Sequence, residues 1–275
     1  MTALSRSLHA FLDAAPAVAL VEVSSAKGST PREEGAWMLV SPDAIFGTIG
    51  GGQLEFMAID AARALLAGEG ARHTLDIPLG PEIGQCCGGR VEIGISIADA
   101  AKRNELLRNV KDEDAARPHV YLFGGGHVGR ALSAALSLLP LNVMVVETRE
   151  DALADMPQGV VTRLTPVPED SVRDAPSGSA FIVLTHDHAL DFLIVAEALK
   201  REDATYVGMI GSRTKKETLR RWYLKEAEGD ERRFARVVCP IGGSDVDDKR
   251  PAIIAALVAA ELLRALSASS GRGSA

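Results

Sequence analysis

The segment Gly124-Gly125-Gly126-His127-Val128-Gly129 restricts what this chain can fold into more than any other. It fits G-x-G-x-x-G and lies between an apolar run, HVYLFG (119–124), and a helical pattern that begins at His127 and reaches about Leu138. That is the strand, turn and helix context in which such glycines do their work. The first glycine allows the tight turn, the second lets a phosphate approach bare backbone, and the third lets helix and strand pack closely. An acidic residue is due about 20 positions later, at the end of the next strand, and Glu147 ends VMVVE 23 residues after Gly124. The same rhythm continues through VMVVET (143–148), VTRL (161–164), AFIVLTH (180–186), a helix from about Leu190 to Lys200, YVGMIG (206–211), a helix over 213–228, the short strand RVVCP and a helix over 251–266. Strands alternating with helices predict a doubly wound parallel sheet with ligands at the strands' carboxyl ends. A dinucleotide-type fold follows, but a dinucleotide ligand does not, because fold does not give function.

The first half has another pattern. AVALVEVS (17–24) reads as a strand, and AWMLVS (36–41) and AIFGTI (44–49) flank Pro42-Asp43 like a hairpin. Leu54, Met57, Ala58, Ala61 and Leu65 recur at helical spacing, so 53–67 reads as an amphipathic helix stopped by Gly68. RHTLDI and RVEIGISI read as strands on either side of PLGPEIGQCCGG, and a helix over 99–110 closes this half. At roughly 150 residues per domain, a chain of 275 residues favours two. The polar run Lys111-Asp112-Glu113-Asp114 and the helix-disfavouring Arg117-Pro118 mark the boundary. The fold class is therefore α/β: an α+β domain over 1–113 and a Rossmann-like doubly wound domain over 118–275.

Composition excludes some partners. The formal net charge is −7, whereas a nucleic-acid or anionic-membrane binder usually shows a basic stripe; neither partner is expected. The apolar run Ala252–Ala260 stops at Glu261, short of the 18 or so residues that span a bilayer, and no cationic leader with a small-residue cleavage site opens the chain. A cytoplasmic location is expected. Cys86, Cys87 and Cys239 form neither a disulfide framework nor a CxxC zinc pattern, and read as free thiols.

Several residue groups can carry chemistry, each with a plainer alternative. His186-Asp187-His188 follows a buried strand and should face the ligand crevice, where two imidazoles and a carboxylate suit metal binding or proton transfer. Alternatively, Asp187 caps the next helix and the histidines are polar loop residues. Gly211-Ser212-Arg213 opens another helix, suiting an anion at its N-terminus with Arg213 as the ligand; Lys215, Lys216, Arg220 and Arg221 read as a solvated face, with Lys216 left to solvent. Arg149 either neutralises a phosphate or caps a strand. In the first half, Gly47-Thr48-Ile49-Gly50-Gly51-Gly52-Gln53-Leu54-Glu55 and Gly84-Gln85-Cys86-Cys87-Gly88-Gly89 either bring bare backbone to a ligand or form packed tight turns. Adjacent thiolates suit a soft metal or sulfur transfer, against the alternative of inert buried cysteine.

Seven segments in order, VSSAKGSTPREEGAWMLV, GTIGGGQLE, LGPEIGQCCGGRVEIGI, YLFGGGHVGRAL, LTHDHALD, YVGMIGSRTKK and VCPIGG, closely resemble the XdhC/CoxI family, accessory proteins of xanthine dehydrogenase and related molybdenum hydroxylases. The resemblance covers about residues 17–266. It implies an XdhC/CoxI-type domain followed by a Rossmann-like domain, a homodimer, and a molybdenum cofactor chaperone. Such a protein binds the cofactor, protects it, cooperates with a cysteine desulfurase that supplies the terminal sulfido ligand, and hands the cofactor to apo xanthine dehydrogenase or a related hydroxylase.

On that footing the cofactor phosphate lies on a helix N-terminus, at Gly124, Gly126, His127 and Gly129 or at Ser212 and Arg213. Gln85, Cys86 and Cys87 face the metal end, with both cysteines as candidate metal ligands. Gly50, Gly51, Gly52, Gln53, Glu55, Glu147, His186 and His188 complete the cofactor-binding set. Glu147 creates a tension, because plain molybdopterin has no ribose for it to hold and the cytosine dinucleotide form has one. The plain form is favoured, as xanthine dehydrogenases typically use it. After VCPIGG the family commonly continues with a second Ile-Gly element; this chain has Ser244-Asp245-Val246-Asp247 there, so no role carries over to that loop. The alternatives are an NAD(P)-dependent oxidoreductase built on the Rossmann half and a thiol sulfurtransferase.

Overall fold

A strand whose side chains alternate between two buried faces organises the N-terminal part of the protein. A computed structural model describes residues 3–69, 73–80, 88–243 and 245–270, and the chain divides into two compact units, Met1–Ala115 and Ala116–Ala275. After a helix α1 (Ala3–Ala14) comes β1 (Ala19–Lys27), then β2 (Trp37–Val40), β3 (Ile45–Gly47), α2 (Gly52–Leu66), β4 (Thr74–Pro78), β5 (Arg90–Ile97) and α3 (Ala100–Ala116). The strands form one antiparallel sheet in the order β3-β2-β1-β5-β4. Ala19, Val21 and Val23 of β1 pack with Leu54, Ala58 and Ala62 of α2, while Leu20 packs with Leu8 and Leu12 of α1 and Leu106 and Val110 of α3. Both faces are thus covered, since apolar residues stand at both alternating positions of this strand's first half.

Two expectations change here. No element is expected from sequence before Ala17, yet α1 is present: Leu4, Leu8, Phe11 and Leu12 recur at helical spacing, and Pro16 lies just past its end. α3 runs on to Ala116 instead of ending at Val110. Lys-Asp-Glu-Asp is polar but contains no breaker, and the first proline is Pro118.

The second unit contains β6 (His119–Phe123), α4 (His127–Leu136), β7 (Asn142–Glu147), β8 (Val161–Leu164), α5 (Glu169–Arg173), β9 (Ala180–Val183), α6 (His188–Lys200), β10 (Tyr206–Met209), α7 (Arg213–Lys225), α8 (Glu231–Phe234), β11 (Val237–Val238) and α9 (Pro251–Ser270). Its sheet is parallel throughout, in the order β8-β7-β6-β9-β10-β11. Strand order reverses between β6 and β9, which is the switch point of a Rossmann sheet. β9 and β10 are buried along their whole length, as parallel strands covered on both faces should be. Tyr121, Phe123, Phe181 and Val183 face α5, α6 and α7; Val120, Leu122, Ala180 and Ile182 face α4 and α9.

Length and composition alone would let α9 cross a bilayer. Here Ala255, Val258, Leu262 and Leu266 pack into the second core, and Glu261 accepts the Tyr206 hydroxyl and the Gly242 N–H. Glu261, which interrupts the apolar run in the sequence, is the residue that ties this helix to the sheet.

Candidate functional site

Three loops meet at the carboxyl edge of the parallel sheet, and backbone hydrogen bonds carry the strand register into them. Gly124 N–H donates to Val146 O at 2.9 Å, Leu184 N–H to Phe123 O at 2.9 Å, and Ile210 N–H to Val183 O at 2.8 Å. The loops after β6, β9 and β10 are therefore neighbours, about 4.8 Å apart per strand. Three of the four glycines leave no room for a side chain. A Cβ on Gly124 would stand 2.4 Å from the Leu184 carbonyl oxygen, and one on Gly129 would stand 2.0 Å from the Gly124 carbonyl oxygen. A Cβ on Gly125 would meet the Ala152 carbonyl oxygen at 2.5 Å, whereas no described atom lies within 4 Å of one on Gly126. Gly126, the second glycine of the pattern and the N-cap of α4, is thus the open position, as the approach of an anion to a helix N-terminus requires.

Three helices begin along this edge, and each opens on a side chain that carries nitrogen donors. His127 opens α4, His188 opens α6 and Arg213 opens α7; all three are exposed. Asp187 is the N-cap of α6, its carboxylate accepting Ala189 N–H at 2.8 Å, which is the plainer of the two readings of the 186–188 run. Among the described residues, no group of three or more His, Cys, Asp or Glu is placed to hold a metal ion. Ser212 caps α7 by accepting Lys215 N–H at 3.2 Å.

Beneath these helix starts lies a buried polar cluster that the sequence did not single out. Asp191 is fully buried; one carboxylate oxygen accepts the Thr185 N–H at 3.0 Å and hydroxyl at 2.7 Å, and the other accepts Lys215 Nζ at 2.5 Å. Lys215 also donates to Ile210 O at 3.0 Å. The ion pair joins the first turn of α6 to the first turn of α7, and so fixes where His188 and Arg213 stand. An acid inside the otherwise apolar run ALDFLIVA (189–196) is the available signal for it. Lys215 and Lys216 are not the solvated face expected of them, since Lys216 Nζ donates to Val237 O at 2.7 Å. Only the next turn fits that reading, with Arg220 and Arg221 reaching Glu217 and Glu231. Cys239 sits beside this cluster, buried, and burial pushes its thiol above the ordinary value although Lys215 and Lys216 pull the other way.

Glu147 ends β7 at 4% exposure. Its Oε2 accepts Gly125 N–H at 2.9 Å, and its Oε1 accepts Thr148 N–H at 2.8 Å and Arg149 N–H at 3.2 Å. The Arg149 guanidinium lies over both oxygens at 3.4–3.5 Å, so its partner within the chain is the Glu147 carboxylate. Burial pushes the Glu147 pKa up, but the Gly125 N–H, the Arg149 guanidinium and the Thr148 N–H together bring it below the ordinary value.

In the first unit Glu55 plays a matching part. Its Oε2 accepts the Thr48 hydroxyl at 2.5 Å, Ile49 N–H at 3.1 Å and Gly51 N–H at 3.0 Å, and Thr48 Oγ1 accepts Gly50 N–H at 3.1 Å. The donors of the Gly50–Gly52 loop are largely met from within, and an anion approaching them would face the Glu55 carboxylate. Gly50, Gly52 and Gln53 are exposed. The loop lies on Pro31, where a Cβ on Gly50 would come within 2.7 Å of the ring; Gly89 lies on Ser29, 2.2 Å from its carbonyl oxygen by the same measure. Gln85, Cys86 and Cys87 lie outside the described residues.

Residues 120–262 match the family model described as the XdhC Rossmann domain, and residues 11–77 match that of the XdhC and CoxI family. The chain is 26% identical over 263 residues to YqeB, an uncharacterized protein of Escherichia coli strain K12, covering 90% of this chain and 43% of that protein. It therefore spans less than half the length of that relative. A crystal structure described as a xanthine dehydrogenase from Bacillus halodurans has the same fold, with a TM-score of 0.80 over 98% of this chain and 96% of that one, at 17% identity.

Proposed function

The chain belongs to the XdhC and CoxI family and carries its XdhC Rossmann domain, and from that premise we propose that it is a cytoplasmic molybdenum cofactor chaperone. The family implies an accessory role for molybdenum hydroxylases. In the finer reading, the protein takes up the cofactor, shields its oxidisable metal end, holds it while a cysteine desulfurase supplies the terminal sulfur, and passes it, as a homodimer, to apo xanthine dehydrogenase or a related hydroxylase. In this reading it is an accessory protein rather than an enzyme.

One observation carries the site. At the switch point of the parallel sheet Gly126 is open, and the loops after the neighbouring strands β9 and β10 leave His186, His188 and Arg213 exposed. An anionic phosphate suits that edge, since helix N-termini supply N–H groups and Arg213 a fixed positive charge. Cys86 and Cys87, with Gln85, are assigned to the metal end, where thiolates suit a soft ligand set.

The experiment is anaerobic co-expression with the cofactor pathway, followed by metal analysis and pterin fluorescence of the purified protein. Near-stoichiometric molybdenum and pterin are expected, and rescue of an inactive hydroxylase in a reconstituted assay. Protein lacking both, from cells that make the cofactor, overturns the reading. Replacing both Cys86 and Cys87 by serine should cut bound molybdenum at least tenfold; full loading of that variant removes the cysteines from the site.

A further inference from the structure

The acidic residue that in a dinucleotide-binding sheet reaches for a ribose has no capacity left to do so here. A carboxylate offers about four lone-pair sites. Glu147 Oε1 accepts Thr148 N–H, the Thr148 hydroxyl and Arg149 N–H, and Oε2 accepts Gly125 N–H and the Arg149 guanidinium, which also reaches Oε1. The space beside it is also filled by the chain itself. The helical turn Asp151–Leu153 brings the Ala152 carbonyl, together with the Met156 methyl, directly over Gly125. That segment is tied down at its far end by Arg130 to Asp155 at 3.0 Å and by Met156 packed on Ser133 of α4. Gly126 is open, and the loops after β9 and β10 present His186, His188 and Arg213 to solvent.

We propose that Glu147, Arg149 and the Asp151–Met156 segment close the nucleoside end of the crevice, so that it accepts a phosphomonoester ligand, with its anion on the α7 side, and rejects the nucleotide-extended form of the same ligand. This rests on the crevice being the cofactor site. It makes Glu147 and Arg149 specificity-determining residues rather than ribose ligands, and it separates two forms of cofactor that differ only by the added nucleotide. The rejection is steric and electrostatic together. A ribose at this end must displace the Ala152 carbonyl and the Arg149 guanidinium, and a second phosphate in front of Gly125 would face a buried carboxylate in place of a free N–H.

The test is equilibrium titration of the full chain, under anaerobic conditions, with metal-free molybdopterin, its cytosine dinucleotide and NADH. Metal-free molybdopterin should bind at least tenfold tighter than the cytosine dinucleotide, and NADH should not saturate. Arg213→Ala should weaken molybdopterin at least tenfold and Arg149→Ala less than twofold, each variant being checked for a native circular dichroism spectrum. Equal or tighter binding of the dinucleotide, or an Arg149→Ala loss as large as that of Arg213→Ala, overturns the proposal while leaving the crevice as the site. Molybdopterin binding that Arg213→Ala leaves unchanged, or no binding of any form, overturns the crevice reading, and the proposal with it.

Discussion

At the scale of single residues, two carboxylates with matching roles govern the two glycine loops. Glu147 and Glu55 each sit on N–H groups that a free anion would otherwise claim. Removing the charge from Glu147 should therefore cost stability first. Glu147→Gln is expected to lose about 2 kcal/mol at pH 7, the value of buried N–H donors deprived of a charged acceptor. The pH dependence has a definite sign. The folded pKa of Glu147 lies below its ordinary 4.5, so its contribution is complete above that value and is lost as pH falls through the folded pKa. Urea unfolding at a series of pH values should show the gap between wild type and Glu147→Gln closing as the solution is acidified. A gap that is constant with pH would assign the loss to packing. Lys215→Met is the second residue-scale prediction. It strands the fully buried Asp191 and should cost about 3–5 kcal/mol, read as a fall in the urea midpoint; a change below 1 kcal/mol would mean that the pair does not hold the helix starts.

At the scale of elements, the three glycines of the 124–129 turn do separable jobs, and substitution separates them. Gly129→Ala drives a Cβ into the Gly124 carbonyl oxygen at 2.0 Å. Helix α4 must then lift from β6, and a loss above about 3 kcal/mol is expected, as for overpacking with no route to relax. Gly126→Ala meets no described atom, and Gly126 has φ −67°, which any residue adopts. It should cost under about 1 kcal/mol, the difference between glycine and alanine at an N-cap, yet, on the proposed reading, weaken cofactor loading, because the methyl takes up part of the open edge assigned to the cofactor. Thermal melts paired with molybdenum analysis check both outcomes; parallel losses of stability and loading at Gly126 would make it a structural glycine only. The strand-helix rhythm behind this turn was legible in sequence because parallel strands buried on both faces read as continuous apolar runs such as AFIV and YVGM. α1 escaped notice because an acid and a proline near its end resemble interruption as much as termination.

At the scale of the whole molecule, each unit has its own apolar interior: two clusters flank the antiparallel sheet and two flank the parallel one. Domains with separate cores fold separately. A fragment spanning residues 116–275 should therefore give a cooperative thermal transition and the helical circular dichroism of its share of the chain. A fragment that melts without cooperativity would show that the parallel unit needs the first one. Helix α9 belongs to this argument, since its apolar face completes the α4 side of the sheet, and a fragment ending before Pro251 should not fold.

Local sequence determined what local physics controls. The glycine turn, the strands long enough to be buried, the helix caps at Asp187 and Ser212, and the resemblance to a family carried by seven ordered segments are all written in neighbouring residues. The tertiary structure decided which of the polar groups so placed remain free. Glu147 finds Gly125 from 22 residues away and Lys215 finds Asp191 from 24, and no periodicity or spacing encodes such meetings. They depend on where strand order reverses and on which helix starts the sheet brings together. The sequence therefore marked the glycine turn at the carboxyl edge of the sheet, and only the folded chain showed that the Gly125 N–H is taken by the protein's own carboxylate while Gly126 stays open.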